Sequence, residues 1–98
     1  MNSSYRLSIS KEARADLASI REWLLQPGSG RRSHSRYSAI LQAVDDLRMG
    51  SSRWPLGDIP GVRERPVNGH RVYYRIDEEG KRIRILRIFG PFQDRSRL

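Results

Sequence analysis

Apolar and polar residues alternate through Tyr5, Leu7 and Ile9, with Arg6 and Ser8 between them. That period of two predicts a strand over residues 5–9 with one face turned to a core. The period then lengthens: Ala13, Leu17, Ile20 and Leu24 recur at spacings of 4, 3 and 4, which lines them on one stripe of a helix. Ser10 stands where an N-cap is needed, and Glu12 and Asp16 bring negative charge to the positive end of the helix dipole. Pro27 and Gly28 end this helix near Gln26. After the polar link PGSGRRSHS, Tyr37, Ile40, Leu41, Val44 and Leu47 return at helical period up to about Met49. Two helices with one apolar stripe each, joined by a short link, form an antiparallel hairpin that must bury its stripes against a sheet.

The segment GSSRWPLGDIPG holds two prolines and three glycines, which forbid a regular element but leave Trp54, Leu56 and Ile59 to pin a structured loop over the core. From Val62 the period is two again. Val62 to Val67 is a strand, Asn68-Gly69 is a type I′ turn, and His70 to Asp77 is its hairpin partner. A turn over Glu78 to Lys81 leads into Arg82 to Phe89, where Ile83, Ile85, Leu86, Ile88 and Phe89 put apolar side chains on both faces, as a central strand requires. The expected fold is α+β, a helix hairpin on a small, mainly antiparallel sheet in the order β-α-α-β-β-β. The helices cover one face, and the other, studded with arginine, is open to a partner.

Ninety-eight residues suit a single domain spanning 1–98. The net charge of +8 is large for that size, and 17 of the 19 basic residues are arginine. Such a balance points to nucleic acid, an acidic protein or an anionic surface, and arginine supplies bidentate and stacking contacts. The absence of cysteine excludes disulfides and thiolate chemistry, and His34 and His70 alone make no metal site, so neither cofactor nor metal is expected. No apolar run is long enough to span a bilayer, and MNSSYRLSIS lacks the core of a secretory signal; a cytoplasmic protein is expected.

Arg63, Arg65, Arg71, Arg75, Arg82, Arg84 and Arg87 all lie in the last three strands, where the alternation of side chains gathers many of them onto one surface. The plainer reading is a solvated face partly offset by Glu64, Asp77, Glu78 and Glu79. By parity, Val72, Tyr74 and Ile76 face the core, and Tyr73 shares the open face with Arg71 and Arg75, where it could stack on a base or a peptide. Trp54 reads as an anchor of the loop. His70 could act as an acid or base but has no carboxylate or serine at a diagnostic spacing, and no phosphate-binding glycine loop is present. Arginine stabilises phosphate charge well and is a poor general base.

The segments YRLSISKEARADLASIREWL, IPGVRERPVNGHRVYYRID and IRILRIFGPFQDRSRL resemble the RelE/ParE superfamily of toxins from bacterial type II toxin-antitoxin systems. The resemblance runs over almost the whole chain and rests on these elements in combination. It implies two helices against an antiparallel sheet with the first strand beside the last.

It also implies a choice of target. RelE-like members cleave messenger RNA on the ribosome with basic residues of the second and third strands, an arginine near the last strand, and often a tyrosine or histidine near the C-terminus. Under that alternative the catalytic candidates are Arg63, Arg65, Arg71, Arg87 and Arg95, of which Arg71 matches the third-strand arginine. The ending PFQDRSRL offers no tyrosine or histidine. ParE-like members poison DNA gyrase and turn over no substrate, and this chain is more similar to them in its hairpin, its Pro-Gly-Val-Arg segment and its ending. Under that reading Arg87, Arg95 and Arg97 are candidate target contacts. Either branch implies an acidic, helical antitoxin with an extended tail, for which Tyr73, Arg71, Arg75 and Arg84 are candidate contacts. A plain nucleic-acid-binding module is a further alternative.

Overall fold

In a computed structural model that describes residues 4–91, strand β1 (Arg6–Ile9) leads into helices α1 (Lys11–Leu24) and α2 (Gly30–Gly50). A short 3-10 turn (Ser51–Arg53) and a loop then lead to strands β2 (Arg63–Val67), β3 (His70–Asp77) and β4 (Arg82–Phe89). The sheet order is β1-β4-β3-β2, with β1 parallel to β4 and the other pairs antiparallel. The expected α+β order and the placing of the first strand beside the last are both present.

The helix hairpin buries Ala13, Ile20 and Leu24 of α1 and Ile40, Val44 and Leu47 of α2 against Val72, Tyr74, Ile83, Ile85 and Ile88 of the sheet. Tyr5, Leu7 and Ile9 join the same cluster. These are the stripes read from the periodicity, except that Leu41, 42% exposed, turns away from the cluster; their burial supplies most of what holds elements too short to stand alone. Asn68 and Gly69 both take positive φ, 48° and 82°, as a type I′ turn demands.

Helix α2 starts several residues before its first apolar position. Residues 30–36 carry no apolar side chain to mark a stripe, yet the helix propagates through them because nothing in RRSHSR forbids it. The reversal is compressed into the segment before it, where Gly28 and Gly30 take positive φ.

The open face departs from expectation at its centre. Tyr73 is buried, 2% exposed, in a second cluster with Val62 and Phe89, flanked by Ile59 and Leu86. Its ring is tilted against Phe89 at 5.4 Å between centroids. Parity placed Tyr73 on the right face, but strand periodicity cannot see that Val62 and Ile59 of the preceding loop fold over that face. Ile59 and Trp54 pin the loop as expected. Leu56 does not: it is 58% exposed, with its backbone bridged to Arg63.

The apolar residues on both faces of β4 are reconciled by a bulge. Ile85 pairs with Tyr74 and Arg87 with Tyr73, so Leu86 has no opposite residue on β3. One extra residue shifts the alternation, and Ile83, Ile85 and Ile88 all reach the helix face.

Candidate functional site

The seven arginines of the last three strands divide between the two faces of the sheet. Arg63 lies opposite Tyr74 and Arg65 opposite Val72, on the helix side. Arg63 donates to the carbonyl of Trp54, and Arg65 donates to the carbonyl of Ala43 at 2.9 Å while stacking on the Trp54 ring, 4.7 Å from its centroid. Both tie the loop and α2 to the edge of the sheet. Beneath them Tyr74 donates its hydroxyl to the carbonyl of Ser51. Burial pushes the Tyr74 hydroxyl up to about 12, against the opposing pull of the two guanidinium groups.

Arg71, Arg75, Arg82, Arg84 and Arg87 lie on the other face, with Arg6 of β1 opposite Arg82. They form two unlike halves. Around the Tyr73 cluster the charges are matched. Arg71 meets Glu64 at 3.3 Å, and Glu64 is itself almost buried. Arg87 meets Asp16 through two parallel N–H···O bonds of 2.8 and 2.9 Å and lies over the Phe89 ring. These side-chain hydrogen bonds raise Arg87 above the usual arginine range.

Asp16 does more than pair. Strand β1 ends at Ile9, opposite Ile85, and beyond it the outer edge of β4 is covered by α1 instead of a strand. Asp16 Oδ2 accepts the Ile88 backbone N–H at 2.8 Å on that edge. Ser10, the N-cap of α1, accepts from the Ala13 N–H at 2.9 Å and donates to the Leu86 carbonyl at 2.7 Å. The bulge is therefore satisfied by two side chains of α1, which fix the helix to β4.

In the other half, Arg6, Arg75, Arg82 and Arg84 are exposed. Arg84 donates to Ser8 Oγ and Arg75 to the carbonyl of Pro60, both neutral acceptors.

Arg63 and Arg65 thus stand across the sheet from Arg71 and Arg87, while Arg95 and Arg97 lie outside the described residues. His70 is buried, with Nδ1 3.3 Å from the Asn68 carbonyl. Among the described residues no three histidine or acidic side chains gather as a metal site would need, and no helix is long and apolar enough to cross a membrane. The residues missed from the sequence are Asp16 and Arg6. Asp16 read as a helix-dipole residue, and its partner is 71 positions away; Arg6 joins the patch only because β1 pairs with β4.

A helix hairpin on one face of a β1-β4-β3-β2 sheet, with arginines on the other, is the architecture of the RelE/ParE toxins. A solved structure of the chromosomal ParDE system from P. aeruginosa overlays with a TM-score of 0.74 at 23% identity, covering 89% of this chain and 96% of that one. The RelBE2 toxin-antitoxin complex from Mycobacterium tuberculosis gives 0.66 at 23% identity, with 89% and 98% covered. The archaeal RelE-RelB complex from Pyrococcus horikoshii gives 0.61 at 19% identity, with 93% and 99% covered. No curated protein matches the chain. The family described as the ParE toxin of type II toxin-antitoxin systems, parDE, matches residues 7–90. This chain belongs to that family and is the toxin component of a type II toxin-antitoxin system.

Proposed function

We propose that this toxin is a ParE-like poison of DNA gyrase, which holds the enzyme on broken DNA, performs no chemistry of its own, and is neutralised by a cognate antitoxin. One observation carries the reading: among the described residues, the arginines that would serve RNA cleavage do not converge. Arg63 and Arg65 are bound to backbone carbonyls on the helix side, and Arg71 and Arg87 are held by Glu64 and Asp16 on the other. Buried His70 is no acid-base companion to either pair. Cleavage of RNA needs a base and an acid within hydrogen-bond reach of the reacting atoms, and arginine fills neither role well.

The antitoxin reading is supported by the exposed apolar side chains Trp23, Leu41, Met49 and Leu56, which an amphipathic segment could cover. Arg75 and Arg84, exposed and bonded only to neutral acceptors, are free to meet its carboxylates, whereas Arg71 would have to share or exchange Glu64. Purified toxin should inhibit supercoiling by gyrase and accumulate cleaved DNA, and should leave messenger RNA intact on translating ribosomes. Ribosome-dependent cleavage without any effect on gyrase would replace this reading with the RelE-like one.

A further inference from the structure

We propose that Arg6, Arg75, Arg82 and Arg84 form a docking surface for the phosphodiester backbone of DNA. The inference rests on the gyrase reading for its biological setting but concerns direct contact with DNA, without the enzyme.

Register builds the patch. Arg6 lies directly across from Arg82, and Arg84 directly across from Arg75, on three adjacent strands. Arg82 and Arg84 are two residues apart, so all four side chains leave the same face. Like charges placed directly opposite each other in a sheet are destabilising, and here two such pairs adjoin. Stability alone disfavours that arrangement; a polyanion laid across it turns the repulsion into attraction.

The local partners leave the charge in place. Ser8 and the Pro60 carbonyl orient Arg84 and Arg75 without cancelling them. Among the described residues neither Arg6 nor Arg82 has an ion pair. Asp77, opposite Arg82, makes no ion pair with it and turns Oδ1 to the Gly80 N–H, so this one carboxylate offsets only part of the charge of four arginines. In the other half of the same face, Glu64 and Asp16 hold Arg71 and Arg87. The sheet thus separates structural arginines from arginines with charge to spare. A shallow groove beside β1 carries the positive surface from Arg6 and Arg82 round to Arg14, with Arg48, paired to Asp45 at 3.0 Å, on its far side.

The chemistry favours phosphates over an acidic protein segment. A segment that orders on binding must bury apolar area to offset its lost entropy. The large exposed apolar side chains Trp23, Leu41, Met49 and Leu56 lie on the helices and the loop, not at these strand positions. A nucleic acid needs no such area, because the release of its condensed counterions drives association. An antitoxin anchored on the apolar residues would reach Arg75 and Arg84 from the margin and exclude DNA from the patch.

The test is fluorescence anisotropy of purified toxin with a labelled duplex, and with one of its strands alone, in the absence of gyrase. Binding should weaken with salt at a log-log slope of about −3 to −4 for duplex, one counterion per arginine. The variant R82Q/R84Q should lower the affinity at least about tenfold and the slope by about two, whereas R21Q/R36Q, with the same charge removed from the helices, should stay within about twofold. Equal loss in the two variants, or displacement of duplex by polyglutamate as readily as by unlabelled DNA, would overturn the proposal. The ratio of duplex to single-strand affinity assigns the surface to paired or unpaired DNA. R6Q/R75Q is the second variant; both patch variants should melt no lower than the parent, since each relieves like-charge repulsion. Intact DNA binding by a toxin that leaves gyrase untouched would overturn the gyrase reading alone. Gyrase poisoning by a toxin that binds no DNA would overturn this one alone.

Discussion

The carboxylate of Asp16 accepts two hydrogen bonds from Arg87 and one from the Ile88 backbone, and it is only 9% exposed. An amide there keeps the shape but loses the charge and turns one acceptor into a donor facing another donor. D16N should therefore destabilise the fold by about 2–4 kcal/mol in urea unfolding. R87K, which keeps the charge but cannot make the bidentate contact, should lose about 1–2 kcal/mol. Arg87 was also a candidate target contact, so toxicity lost on its substitution bears on contact only where the variant melts with the parent. Tyr74 gives a pH test. Its hydroxyl keeps its proton up to about 12 in the fold and up to the ordinary value of 10.0 when unfolded. Between these values the folded state binds more protons, so this contribution is complete below pH 10 and is lost as pH rises toward 12. Thermal melting of the parent should fall more steeply across that window than melting of Y74F, which is less stable throughout because the Ser51 carbonyl loses its donor.

The N-cap of α1 joins two elements through one hydroxyl, and S10A removes both of its hydrogen bonds at a buried position. Its expected cost is about 2 kcal/mol by chemical denaturation, more than an exposed cap would cost, because the Leu86 carbonyl is left unpaired as well. The helices, the strands and the Asn68-Gly69 turn were readable from period and turn chemistry, since each is decided by residues close in sequence. The bulge at Leu86 was not. It depends on Ser10 and Asp16 arriving from α1, and its only trace was an apolar pattern in β4 that fitted neither face alone. Burial of Tyr73 was hidden for a similar reason, because its cover comes from a loop with no period. At the candidate site, the concentration of arginine in the last strands was readable. The separation of matched from unmatched arginines was not, because it turns on which carboxylates the fold brings near.

Taken as a whole, the molecule keeps its two kinds of adhesive surface apart. Exposed apolar side chains sit on the hairpin and loop, and the cross-strand cluster of unmatched arginines sits on the sheet. The free toxin is therefore expected to be less soluble than its antitoxin complex in the same buffer, as turbidity against concentration would show. Substituting Trp23 and Leu41 with serine should narrow that gap without disturbing the core, to which neither belongs.

The pairing of β1 with β4 has a consequence in time. Arg6 to Ile9 bond along residues 82–85, so the first strand to leave the ribosome must wait for the last before it has a neighbour. The helix hairpin can form early, but the sheet it needs for burial is then absent, and closing so long a loop is slow. During synthesis the chain spends most of its length as an unfinished toxin, with Arg6 on a strand that has no neighbour in the sheet. The four arginines come together only after β4 has emerged, which leaves an antitoxin made nearby an interval in which to meet a partner whose sheet is still incomplete.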